Sequence, residues 1–194
     1  MPLPLKLFMK VIHLHHLENE LIQLATENNR QAQQQIYTHF SPKMLGVCRQ
    51  YIKDIHQAED IMITAFMKVF VNIKNFENKG SFEGWIRRIM VNECISFIRV
   101  QKKIKYVEDE TYFEESFNNI ESQFSTDDIQ SLIDSLPDGY KTVFNLYAIE
   151  GFKHKEIASM LEINEGTSKS QLSHARKMLQ TQINKLKNYE YGTE

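Results

Sequence analysis

The chain has 194 residues, 42% of them apolar, which is enough for one or two buried cores and excludes a disordered polymer. A net charge of −2 gives no overall sign of a nucleic-acid partner, and no apolar run is long enough to suggest membrane insertion. Four prolines, seven glycines and long patterns of helical period predict an all-α protein.

Residues 1–16 carry two lysines and some apolar residues, but Pro2, Pro4 and the histidines at 13, 15 and 16 interrupt them. No small-residue cleavage site follows, so an unstructured or lightly packed extension is expected rather than a signal peptide. The three histidines lack a second ligand cluster, and no metal is expected. Residues 17–53 predict two or three amphipathic helices, with Leu17, Leu21, Leu24, Ile36, Tyr37, Phe40, Leu45 and Tyr51 toward a core. Ser41-Pro42 reads as a helix start, serine as cap and proline in the first turn.

Ala58, Ile61, Met62, Ala65, Phe66, Val69, Phe70 and Ile73 then form a wide apolar stripe on one helix, with Glu59 and Asp60 expected in its first turn. The loop from Lys74 ends at Gly80-Ser81, where Ser81 is placed to cap a helix beginning at Phe82. That helix is expected to bury Phe82, Trp85, Ile86, Ile89 and Ile95. It shows Arg88, Asn92, Ser96 and Arg99 on its other side, with Arg87 alongside. Lysine, asparagine and phenylalanine in a loop beside a helix with Trp and arginines suit single-stranded nucleic acid, because aromatic faces stack bases and cations follow the backbone. The same Phe76 and Trp85 at helical spacing equally suit a core. Cys48 and Cys94 lie far apart in sequence within apolar helical runs, which predicts reduced core thiols in a cytoplasmic protein and no disulfide.

Charge is unevenly spread: residues 1–100 carry +3, residues 101–128 carry −5 and residues 129–194 are neutral. The acidic stretch has few apolar residues at helical period, so a flexible linker over 101–127 is expected, joining two helical domains at 17–100 and 128–187. Residues 188–194 form a tail.

Residues 152–183 read as two helices joined by a tight turn. Ile157, Ala158 and Leu161 mark the first; Leu172, Ala175, Leu179, Ile183 and Leu186 mark the second, with Gly166-Thr167 as its entry and cap. No acid lies between Gly166 and Lys187. Taken from Leu172, the face opposite the core holds Thr167, Ser170, His174 and Lys177, with Ser173 beside it and Lys169 and Arg176 on the flanks. Short polar side chains between cations suit a helix in a DNA major groove, and a merely solvated basic hairpin would show the same pattern. No glycine-rich phosphate loop, metal-ligand spacing or nucleophile motif is present, so neither catalysis, a cofactor nor a small-molecule substrate is expected.

Four motif blocks, in order, resemble the extracytoplasmic-function group of bacterial sigma factors. They are Ala58-Glu59-Asp60 with Phe66 and Lys68-Val69-Phe70; Phe82, Trp85 to Ile89, Asn92 and Arg99; Leu136-Pro137, Val143-Phe144, Leu146, Glu150-Gly151 and Glu156 to Ala158; and Gly166-Thr167, Lys169-Ser170, Leu172 and Ala175-Arg176. The resemblance implies an alternative sigma factor that binds core RNA polymerase and promoter DNA and assists melting, held in check by an anti-sigma factor. It implies polymerase contacts from Glu59, Asp60, Phe66 and Lys68. It implies minus-10 contacts from Lys74, Asn75, Phe76, Lys79, Ser81, Trp85, Arg87, Arg88, Asn92 and Arg99. Minus-35 contacts fall to Thr167, Lys169, Ser170, Ser173, His174, Arg176 and Lys177. Departures from the family pattern include Ile63, Thr64, Ser96, Ser168, Gln171 and His174, and Glu162 where a glycine is common. The alternative is a stand-alone helix-turn-helix regulator, for which the Trp85–Arg99 helix has no role.

Overall fold

The computed structural model describes residues 18–101 and 126–190, with side chains over 18–100 and 129–186. The described residues are helical with no strand, and the chain divides into two compact units at Cys94/Ile95. The histidine-bearing extension, most of the acidic linker, Leu17 and residues 191–194 lie outside the described residues.

The N-terminal unit begins with α1 (18–26) and turns through Asn28, at φ 63°. The side chain of Asn29 then caps α2 (Arg30–Tyr51), accepting from the amides of Gln31 and Ala32 at 3.0 and 3.1 Å. Pro42 sits inside α2, so the helix start expected at Ser41-Pro42 is corrected. An internal proline removes one backbone hydrogen bond and costs about 3 kcal/mol. Burial of Phe40, Met44, Val47 and Cys48 on either side of it offsets that cost. Leu24 is 42% exposed; the inward positions of α1 are Ile22 and Ala25.

Asp54 caps α3 (Ile55–Asn72), its carboxylate accepting from the Gln57 amide at 2.8 Å. The helix thus starts earlier than expected, and Glu59 and Asp60 fall in its second turn rather than its first. Its stripe packs as its period predicts: Ala58, Ile61, Met62, Ala65, Phe66 and Val69 are buried, and Ile73 closes the stripe in a 3-10 turn (Ile73–Asn75). The loop after it contains Asn78 at φ 55° and Gly80 at φ 95°. Ser81 Oγ then accepts from the Gly84 amide at 3.0 Å, opening α4 (Phe82–Gln101) as the sequence predicts.

Phe82, Ile86, Met90, Val91 and Cys94 of α4 are buried in the core with residues of α2 and α3. Cys48 and Cys94 are free but not distant, for the fold brings their thiols into a hydrogen bond. That bond, with burial, pushes the Cys94 thiol far above its ordinary range and keeps it protonated.

The C-terminal unit contains α5 (Thr126–Asp134), α6 (Asp138–Phe144), a π-helical turn (Asn145–Ile149), α7 (His154–Leu161) and α8 (Glu165–Glu190). Ile133, Leu136, Val143, Leu146, Ile157, Leu161, Leu172 and Ala175 form its core. Lys141 is 2% exposed and pairs with Asp134 at 3.4 Å, tying α6 to α5. Among the described residues, no helix is long and apolar enough to cross a membrane, and no group of His, Cys, Asp or Glu is arranged to hold a metal.

Candidate nucleic-acid interface

In the N-terminal unit an aromatic ladder runs outward from the core. Phe40 meets Phe82 at 5.7 Å, Phe82 stacks on Trp85 at 5.8 Å and 15°, and Phe76 of the loop lies 5.1 Å from Phe82 and 5.6 Å from Trp85. Phe76 therefore pins the loop to α4. Trp85 and Ile89 are half-buried instead of fully buried, because they stand at the edge of the core facing a cleft. That cleft, of about 310 Å³, is lined by Lys68, Asn72, Asn75, Trp85, Ile89, Asn92 and Glu93. It joins three residues expected at a minus-10 site (Asn75, Trp85, Asn92) to one expected at polymerase (Lys68). Lys68 Nζ binds Glu93 Oε1 at 2.5 Å. Asn72, Ile89 and Glu93 were not anticipated as cleft residues. The signal for the last two was available: residues 85, 89, 92 and 93 share one helical face.

Lys74, Lys79, Arg88 and Arg99 are exposed and do not line the cleft; Arg99 falls in the second unit and pairs with Glu162. Lys79 pairs with Glu77 at 2.6 Å, and Arg87 is half-buried with a 3.4 Å hydrogen bond to Gln50. Ser81 is committed to capping α4.

On the exposed side of α3, Ile63, Met67 and Val71 are 49, 63 and 77% exposed and recur every four residues. They form an apolar strip beside exposed Asp60 and half-buried Glu59. Phe66, expected as a polymerase contact, is 2% exposed and packs edge-on against Tyr37 at 4.9 Å. That assignment is corrected: an aromatic on the inward face of α3 is core.

In the C-terminal unit, Lys153 N donates to Glu156 Oε2 at 2.8 Å at the start of α7. Glu162 ends α7 at φ 57°, ψ 41°, the left-handed conformation that costs a non-glycine residue about 1 kcal/mol. Asn164, not Thr167, caps α8; its Oδ1 accepts from the Thr167 amide at 2.6 Å and from Thr167 Oγ1 at 2.9 Å. A Cβ at Gly166 would come within 3.2 Å of that oxygen, so the glycine leaves room for the cap rather than supplying a flexible entry.

Ser168, Gln171, Leu172 and Ala175 are the buried residues of α8. Their centre lies about 50° around the helix from Leu172. The outward face therefore centres on Gly166, Ser170, Ser173 and Lys177. Thr167 and His174 turn to one flank, while Lys169 and Arg176 occupy the other. His174 stacks on Tyr140 at 5.4 Å and 15°, its Nε2 buried and without a hydrogen-bond partner among the described residues. Its expected place at the middle of the outward face is corrected, since the ring leans onto α6. Leu186, expected on the inward stripe, is 39% exposed.

The opposite flank is braced. His154 Nδ1 lies 3.0 Å from Ser168 Oγ, and the His154 ring stacks on Tyr147 at 4.6 Å. The Arg176 guanidinium sits over that tyrosine at 5.5 Å. Burial, reinforced by Lys169, pushes the His154 pKa down, so its imidazole is neutral at pH 7. Lys169 binds Glu165 at 2.8 Å and holds that exposed carboxyl below its usual range.

The Sigma-70 region 2 family matches residues 36–104, and the Sigma-70, region 4 family matches residues 126–179. RNA polymerase sigma factor SigV of Bacillus subtilis is 32% identical over 135 residues, covering 70% of this chain and 81% of that protein. ECF RNA polymerase sigma factor SigW of the same organism is 31% identical over 162 residues, covering 76% and 86%. The sigma factor RpoE of Bartonella quintana, solved with the anti-sigma factor NepR, is 22% identical, covering 78% of this chain and 96% of that one at a TM-score of 0.47. A region 2 and a region 4 in one chain leave no place for a stand-alone regulator, and the chain belongs to the extracytoplasmic-function sigma factors of the sigma-70 family, alternative sigma factors that serve transcription initiation.

Proposed function

We propose that the unit at 17–100 holds core RNA polymerase and the opened minus-10 strand, and that the unit at 128–187 reads the minus-35 duplex. The Trp85–Asn92 cleft carries the first part. A half-buried indole beside amide side chains, with Lys68 in the same wall, suits a base turned out of the stack. The exposed Ile63–Met67–Val71 strip with Asp60 and Glu59 is the face offered to polymerase. An anti-sigma factor, implied by the family resemblance, is a further partner, and the protein acts in the cytoplasm, where polymerase and promoter meet. No step of this role is catalytic.

The test is Asn92→Ala assembled with core polymerase. Opening of a duplex promoter is expected to fall about tenfold, with little loss on a template already melted across the minus-10 segment. Equal activity of variant and wild type on the duplex would remove Asn92 and the cleft from strand capture.

On the second unit, Ser170 and Ser173 are placed to meet base edges, and Lys177 to meet phosphate. Lys177→Ala should weaken minus-35 binding on all sequences alike and reduce the slope of log affinity against log salt by about one. Binding titrations of holoenzyme at several salt concentrations measure this, and an altered sequence preference at constant slope would contradict it.

A further inference from the structure

Met67 gives the outer strip of α3 a chemistry that Ile63 and Val71 lack; this inference rests on the reading of that strip as the polymerase face. Among the described residues, Met67 is the one exposed sulfur side chain, at 63%. Met44, Met62 and Met90 are buried, and Met160 and Met178 are half-buried. The thiols of Cys48 and Cys94 are enclosed and hydrogen-bonded to each other. A small oxidant meeting the folded N-terminal unit therefore reaches the Met67 thioether before any of these.

That thioether lies where its oxidation alters a contact. Ile63, Met67 and Val71 recur every four residues, so Met67 has an apolar neighbour on each side along the helix. Hydrogen peroxide transfers one oxygen atom to the sulfur: the O–O bond breaks, an S–O bond forms and water leaves. The sulfur loses two electrons and the peroxide gains them. The product keeps the length of methionine but carries a strongly polar sulfoxide. On a solvated helix face that change costs the fold little. Pressed into an apolar contact, the sulfoxide oxygen gives up water without gaining a donor. Two thiols reverse the step, restoring the thioether as they form a disulfide and the oxygen departs as water.

We infer that Met67 is an oxidation site through which peroxide reversibly withdraws this protein from core polymerase. The experiment treats the full chain with hydrogen peroxide until peptide mass spectrometry finds one added oxygen at Met67. After the peroxide is removed, the treated chain competes with untreated protein for a limiting amount of core polymerase. Affinity is expected to fall about fivefold or more. Methionine sulfoxide reductases of both stereospecificities, with dithiothreitol, should restore it. Met67→Leu keeps an apolar side chain of similar volume, so it should bind like the wild type and lose less than about twofold after peroxide. This variant separates Met67 from every other oxidisable side chain.

Undiminished competition by protein oxidised at Met67 would overturn the assignment. So would an equal loss in treated Met67→Leu, or a loss that the reductases leave in place. Failure of the underlying polymerase-face reading looks different, because Met67→Glu would then also compete as well as the wild type.

Discussion

Replacing Phe66 with alanine is expected to lower the stability of the N-terminal unit by about 3–5 kcal/mol, the cost of deleting a buried aromatic ring. Phe66 is 2% exposed, meets Tyr37 at 4.9 Å and stacks with Phe70 at 6.2 Å. The cavity would open between α2 and α3, where the stripe of α3 is continuous and little can move in to refill it. Urea unfolding of the full chain, followed by Trp85 fluorescence, reports on this unit. A midpoint within error of the wild type would show that Phe66 is not core. Loss of polymerase binding by this variant would follow from unfolding and would not mark a contact.

Met67→Glu should do the reverse. The side chain is 63% exposed in the middle of the Ile63–Met67–Val71 strip, and glutamate is a good helix former. Stability is therefore expected to stay within about 0.5 kcal/mol of the wild type. Affinity for core polymerase should fall at least about tenfold, because an unpaired carboxylate replaces an apolar side chain in a buried contact. Competition with unmodified protein for a limiting amount of core polymerase gives the number. Undiminished competition would move the polymerase face away from α3. The neighbouring positions 66 and 67 thus separate a folding defect from a binding defect.

These two residues also show what the sequence could reveal. Helical period put the stripe of α3 inward correctly, including Phe66, yet the family resemblance assigned that same residue to a partner. A side chain cannot serve both when it is fully enclosed. The exposed Ile63 was legible only as a departure from the family pattern and Met67 not at all, since an apolar residue on the outer face has no signature until the inner face is located.

Proline misled in a different way. Ser41-Pro42 has the chemistry of a helix start, but the packing around Phe40, Met44 and Val47 outweighs a lost hydrogen bond, and tertiary burial is not a local property. In α8 the error was angular. The hydrophobic pattern centres the buried face on Leu172, whereas burial of Ser168 and Gln171 rotates that centre by about 50°. Two polar residues in a core leave no mark on a hydrophobic pattern. The shift brings Ser173 onto the outward face beside Ser170, which was expected there, and turns His174 onto Tyr140. The cap at Asn164 was missed because Thr167 offered an equally good hydroxyl three residues on; the same asparagine oxygen binds both groups of that threonine.

The cleft was half legible. The chemistry of the loop asparagine and Trp85 suits single strands, and the family resemblance adds Asn92. Lys68 and Glu93, which lie 25 residues apart, meet there only because α3 packs against α4.

Run-off transcription most directly tests the central claim that this chain directs polymerase to promoters. Core polymerase is incubated with a genomic fragment library, with and without the protein, and transcript starts are mapped. The account predicts a set of starts that depend on the protein and share two upstream elements, one for each DNA-reading unit. An identical set of starts with and without the protein would contradict it.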